Sequence, residues 1–196
     1  NLRIGLPSKL EDALVALMLS SEKSASIHEA TINDFISRFP QVADGYNAQA
    51  NVLIGKSNFT EADKVLQTAI ARVSMKDEAL YNYARVIYYN TVNPANKDRL
   101  QGLNWALDKA LDEVKKAYAI KPLNAYRHLQ AQITYAKGDY ANAYNEFDAL
   151  TKTDFNNPEL YLEMAQSRQH LGASDKELLD LLNKSIELCD TPYVAT

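Results

Sequence analysis

Cysteine is nearly absent: Cys189 is the only one in 196 residues, so the chain can form neither an internal disulfide nor a cysteine-based metal site. At the end of a predicted helix and with no base nominated beside it, Cys189 reads as a small buried hydrophobe rather than a nucleophile. Glycine and proline are scarce too, six of each, which favours long regular elements over loops. No run of 18 apolar residues occurs. The longest apolar stretch, Ala13 to Leu19, is too short to span a bilayer and is preceded by Lys9, Glu11 and Asp12. Net charge is only −4, with Lys and Arg scattered rather than clustered, and this gives a nucleic-acid partner no electrostatic footprint.

Residues that carry chemistry are equally sparse. The three histidines, His28, His128 and His170, form no metal-spaced pair and read as exposed or hydrogen-bonded side chains. Gly5-Leu6-Pro7-Ser8-Lys9 lacks the second glycine of a phosphate loop. The acidic pairs Glu11-Asp12 and Asp112-Glu113 lie on expected helices; Asp112 and Lys116, at i and i+4, read as a solvated charge pair. No cofactor, metal or catalytic residue is implied, so the expectation is a non-enzymatic protein.

What the chain has is a period. Ala16, Ala50 and Ala84 are spaced by 34, as are Ala131 and Ala165, and Gly138 and Gly172. One step departs, the 47 residues from Ala84 to Ala131. A period near 34 marks a helix–turn–helix unit that buries its apolar side by stacking on copies of itself. In the second unit, Tyr46-x2-Gln49-Ala50-x2-Leu53 sets one helical face; Gly55-Lys56-Ser57-Asn58 makes a turn. Phe59 then opens a helix with Ala62, Leu66, Ala69 and Ile70 inward and Thr60 as its N-cap. Gly138-Asp139-Tyr140 with Ala143-x3-Phe147 repeats the turn and second helix. So do Tyr161-x2-Met164-Ala165 and Leu171-Gly172, followed by Leu178, Leu181, Leu182 and Ile186. Pro40, Pro122 and Pro158 punctuate the joints.

These motifs resemble the tetratricopeptide repeat (TPR), in which a bulky residue, a small residue near the middle of the first helix, Ala-x3-Phe in the second and a closing proline recur every 34 residues. The resemblance implies an all-α, right-handed α–α superhelix of about five antiparallel hairpins, with repeats near 7–40, 41–75, 76–122, 123–157 and 158–190 forming a single array over 1–196. Helices are expected near 7–20, 25–38, 42–55, 60–73, 76–90, 97–120, 123–137, 141–152, 158–171 and 175–188. The first repeat is the poorest copy, with His28 and Phe35 where small residues are usual. Pro192-Tyr193-Val194-Ala195 resembles the start of a further repeat, which reads the chain as a fragment of a longer array.

The third repeat holds the irregular step. Asn93-Pro94 signals a turn, yet Leu100, Leu103, Trp105, Ala106, Leu107, Ala110 and Leu111 keep a helical spacing. The spacing predicts an elongated second helix over 97–120, about 36 Å long at 1.5 Å per residue. Trp105, the only tryptophan, would sit on its protruding part, either packed against the Asn90–Lys97 connection or forming a second contact surface for a partner or a homodimer.

In a repeat array of this kind the first helices line a concave groove. One residue beyond the core stripe, the groove positions are Asn47, Asn51, Tyr81, Arg85, Tyr88, His128, Gln132, Tyr135, Leu162, Gln166 and Gln169. These are mostly amides and aromatics, suited to an extended peptide or polar segment. Within Tyr81–Tyr89, Tyr83 reads as core, and Tyr81, Tyr88 and Tyr89 as exposed. Asn47, Asn51 and Arg85 resemble part of the clamp that some relatives use for acidic C-termini. The matching first-repeat positions, Ala13 and Leu17, depart from it. The sequence thus points to a scaffold that binds a protein or peptide, with a carbohydrate-binding or nutrient-uptake module of a bacterial cell envelope as the alternative. Asn1 in place of Met is compatible with a removed leader, which leaves cytoplasm and periplasm equally open.

Overall fold

Ten α-helices account for the regular structure among the residues described, 8–190, in a computed structural model. They are α1 Ser8–Ser20, α2 Ala25–Arg38, α3 Ala43–Gly55, α4 Phe59–Arg72, α5 Lys76–Val92, α6 Leu107–Ile120, α7 Asn124–Ala136, α8 Tyr140–Thr151, α9 Pro158–His170 and α10 Asp175–Asp190. No strand occurs among the described residues. The Pro192–Ala195 stretch lies outside them. The chain divides into two compact units, the first formed by residues 8–83 with 94–104, the second by 84–93 with 105–190. The division falls inside α5, between Tyr83 and Ala84.

In the first unit α1 packs on α2, α2 on α3 and α3 on α4. Ala13, Leu17, Ile32 and Phe35 are its inner cluster, and Ala43, Tyr46, Ala69, Val73 and Ala79 continue it. Gly45 permits the close crossing of α2 and α3: a Cβ there would lie 2.7 Å from Ile36 Cγ1 and 2.8 Å from the Phe35 ring. Tyr83, buried, donates its hydroxyl to Asp63 Oδ1 at 2.6 Å. In the second unit α6 to α10 pack each on the next. Ala131, Ala143, Phe147, Leu150, Leu160 and Met164 form the core there, with Ala110, Val114 and Ala117 fully buried on α6.

The turns repeat the same chemistry. Gly138 and Gly172 adopt φ +85° and +78°, the left-handed region that closes a helix and that L side chains avoid. Ser57 holds the corresponding place before α4 at φ +60° without being glycine. Helix starts are capped by Asn58, whose Oδ1 accepts the Glu61 N–H, by Asp139 from Asn142, and by Asn157 from Glu159 with Pro158 following. The cap of α4 is therefore Asn58, not Thr60, because Phe59 already has helical geometry.

Several expectations change. Ala50, Ala84, Ala131 and Ala165 are buried as the period requires, but Ala16 is exposed, and Ala13, Leu17 and Ser20 face inward instead. The fully apolar stretch of α1 offers no polar face to fix its rotation, so packing selects the stripe. The elongated helix over 97–120 does not form. Pro94–Asn96 is a single 3₁₀ turn, followed by turns through Gly102 at φ +84°, and α6 begins only at Leu107. Pro94 disfavours a helical Asn93, Gly102 takes a conformation outside the helix, and Ala106 is extended at φ −143°. The carbonyl of Asn96 accepts the amides of both Arg99 and Leu100, and Arg99 Nη1 reaches Ser57 Oγ at 3.1 Å, which ties the insertion to the α3–α4 turn. Trp105 is only 6% exposed, and the helix expected to carry a second contact surface or a homodimer contact is 14 residues long rather than 24.

Two polar assignments also shift. Glu113, not Asp112, holds Lys116: it is buried, with Lys109 Nζ at 2.7 Å and Lys116 Nζ at 3.0 Å. Burial opposes its charge, but hydrogen bonds from the two lysines prevail and keep its carboxyl below the usual range. Cys189 is exposed rather than buried, and so is Ile186, at 59%. Both lie on α10, which packs onto α9.

Candidate functional site

The residues expected to line a groove fall into two groups, one in each unit. In the first unit a cleft of about 650 Å³ opens between α1 and α3. Leu14, Val15 and Met18 make its apolar wall, with Met18 66% exposed. Asn47 and Asn51, one helical turn apart on α3, supply the amides of the opposite wall, with Asp44 a turn earlier. His28 borders the cleft from α2. The Ser20 hydroxyl donates to the Leu17 carbonyl at 2.7 Å, which leaves its oxygen to accept from His28 Nδ1, also at 2.7 Å. The cleft thus combines apolar surface on one side with amide donors and acceptors on the other.

In the second unit α7 and α9 bring His128 and Gln132 together around a residue that the sequence did not nominate, Glu163. His128 Nε2 lies 2.5 Å from Glu163 Oε2, and Gln132 Nε2 donates to Glu163 Oε1 at 2.7 Å. His128 packs edge-on against Phe147, with ring centroids 5.9 Å apart. Burial works against charging His128, but the Glu163 hydrogen bond and charge, with Glu159 and Asp154 farther off, raise its pKa above the ordinary imidazole value. Tyr88, half-buried, feels the same carboxylate. Burial first, then Tyr89, Glu163 and Tyr135, push its phenol up to about 12, so it remains a neutral donor.

Beside this cluster His170 stacks on Tyr140, ring centroids 4.0 Å apart and nearly parallel, and its Nε2 lies 3.1 Å from the Tyr135 hydroxyl. Tyr135 in turn meets Tyr140 edge-on at 5.2 Å. Gln166 and Gln169 are exposed, as are Arg85 and Leu162, while Tyr81 is half-buried. Of the tyrosines read as exposed, Tyr89 is so at 55%.

Glu163 was missed because it stands one residue past Leu162, the position in strict register with His128, and carboxylates on helices are usually solvated. Its separation from His128, 35 residues or one period plus one, is the signal that links them. Leu14, Val15 and Met18 were missed for the reason that Ala16 was misplaced: the rotation of α1. Among the described residues, no three His, Cys, Asp or Glu side chains gather as a metal site, and no helix is long and apolar enough to cross a membrane.

No protein-family model matches the sequence, and no curated protein does. Solved structures do resemble the chain. One of MamA superposes with a TM-score of 0.61 at 10% identity, covering 84% of this chain and 88% of that one. Another MamA structure gives 0.62 at 12% identity, over 92% and 94%. YrrB, a TPR protein with an unusual peptide-binding site, gives 0.60 at 14% identity, over 91% and 84%. At such identities the likeness concerns the backbone, and it agrees with the consecutive packed helices, the capped turns and the 34-residue spacing: the chain has an all-helical, TPR-like fold.

Proposed function

We propose that this protein is a non-enzymatic interaction scaffold whose cleft between α1 and α3 binds an extended segment of a protein partner. The observation that carries this is the cleft between α1 and α3, where an apolar wall of Leu14, Val15 and Met18 faces the amides of Asn47 and Asn51. An extended peptide presents alternating side chains and unpaired backbone N–H and C=O groups. Asparagine amides can satisfy the backbone groups, and the apolar wall can cover side chains on the other edge. YrrB, of similar fold, has a peptide-binding site, which supports the reading by analogy of fold alone. In the second unit Glu163 already engages His128 and Gln132, so binding there is expected to use the exposed Gln166 and Gln169.

A peptide-library selection on the whole chain, repeated with Asn47→Ala, Asn51→Ala and Met18→Glu, tests the proposal. Each substitution is at a half-buried or exposed position and leaves the core intact. Selected peptides should bind the variants at least tenfold more weakly. Unchanged affinity in all three would remove the cleft from the site, and a glycan array that retains the chain where peptides do not would replace the protein partner with a carbohydrate.

A further inference from the structure

The second unit contains another concavity, of about 420 Å³, that shares no residue with the Glu163 cluster. Leu111 and Lys115 from α6, Arg127 and Thr134 from α7, and Asn145 and Glu146 from α8 line it. Two features of this pocket remain unexplained by the fold. Glu146 Oε2 is buried and has no hydrogen-bond partner. Burial pushes the Glu146 carboxyl up, against the opposing influence of Arg127, Thr134 and Lys115. A buried acceptor left unmatched is unfavourable by about 1–3 kcal/mol and marks a place where a donor belongs. The second feature is positive charge that closes no ion pair. Lys137 at the rim is held by Asp108, and Asp139 is occupied in capping α8. Lys115 and Arg127 close no ion pair among the described residues.

We propose that this pocket binds a small organic anion that also carries a hydrogen-bond donor, the class of hydroxy acids and amino acids. The carboxylate of the ligand sits between Lys115 and Arg127, its hydroxyl or ammonium donates to Glu146 Oε2, and its carbon skeleton lies along Leu111. The volume falls in the range of small-ligand sites, about 300–1,000 Å³. A carboxylate without a donor would meet the two cations but face the unmatched Glu146 oxygen, an acceptor against an acceptor. Selectivity for the donor-bearing acid follows from that opposition.

Titration calorimetry on the full chain at neutral pH with L-malate, L-aspartate and succinate tests this, because succinate has the two carboxylates and lacks the donor. Malate or aspartate should bind at least fivefold more tightly than succinate, and which of the two is preferred identifies the hydroxy-acid or amino-acid source. Arg127→Ala and Lys115→Ala should each weaken binding about tenfold. Lys115 is exposed, so its removal leaves the fold unaffected. Glu146→Gln should shrink the preference over succinate to less than twofold. Absence of binding by all three acids, equal affinity for succinate and malate, or affinity unchanged in Lys115→Ala would overturn the proposal.

Discussion

At Gly45 two opposing magnitudes decide the outcome of adding a single methyl group. Replacing a helix-interior glycine by alanine ordinarily gains about 0.5–1 kcal/mol from backbone entropy. Here the new Cβ would stand 2.7 Å from Ile36 and 2.8 Å from Phe35, and Phe35 is a buried core side chain without room to withdraw. Overpacking of this kind costs about 1–3 kcal/mol, so the clash wins. Gly45→Ala is expected to destabilise the protein by about 1–2 kcal/mol in urea unfolding; an unchanged or higher midpoint would mean that α2 and α3 separate without cost. At single positions periodicity alone does not fix which side chain turns inward. Alanine at position 16 obeys the period and yet faces solvent, because Ala13–Leu19 is apolar all round and periodicity alone cannot orient such a helix. Thr60 and Asn58 are both good capping types, and only the helical geometry of Phe59 decides between them.

Between elements, the bond that joins α7 to α9 through His128 and Glu163 carries a pH dependence whose sign follows from its geometry. His128 is 17% and Glu163 13% exposed, so the pair is only weakly screened. Burial disfavours the imidazolium, but the Glu163 hydrogen bond and charge outweigh it, and the folded-state pKa lies above the unfolded value of about 6.5. A raised pKa means the folded state binds the proton more tightly. The stabilisation is therefore fully present below pH of about 6.5 and is lost as pH rises through the folded pKa. Thermal midpoints should fall across that window in the native protein and fall less in His128→Gln. An imidazole NMR titration placing His128 at or below 6.5 would contradict this account. Helices such as α4 and α8 were legible because turn and inward residues agree: Ser57-Asn58-Phe59 and Gly138-Asp139-Tyr140 place the same turn ahead of the same apolar stripe. The stretch before α6 was misread because Leu100, Leu103 and Leu107 keep a helical spacing that a chain of turns can also satisfy. Pro94 and Gly102 were the contrary signals.

For the whole molecule, the period implies a repeated unit, and the fold divides into two compact units at a point within the 17 residues of α5. In stacked-hairpin proteins stability is nearly a sum of local contributions and nearest-neighbour contacts, so loss of structure in one part need not spread to the rest. The chain supplies its own probe of this. Trp105, the only tryptophan, is buried and belongs to the second unit, while circular dichroism reports helices in both. Phe35 lies in the first unit, 1% exposed, between Ala13, Leu17 and Ile32. Phe35→Ala removes about 3–5 kcal/mol of core packing, a large part of the roughly 5–15 kcal/mol that holds a typical domain. In urea, this variant should lose roughly two-fifths of its helical ellipticity in an early transition, since α1 to α4 lie wholly in the first unit. The Trp105 fluorescence midpoint should stay close to that of the native chain. Were both signals to shift together by the same amount, the two units would form one cooperative whole, with α5 transmitting the loss of Phe35 to the surroundings of Trp105.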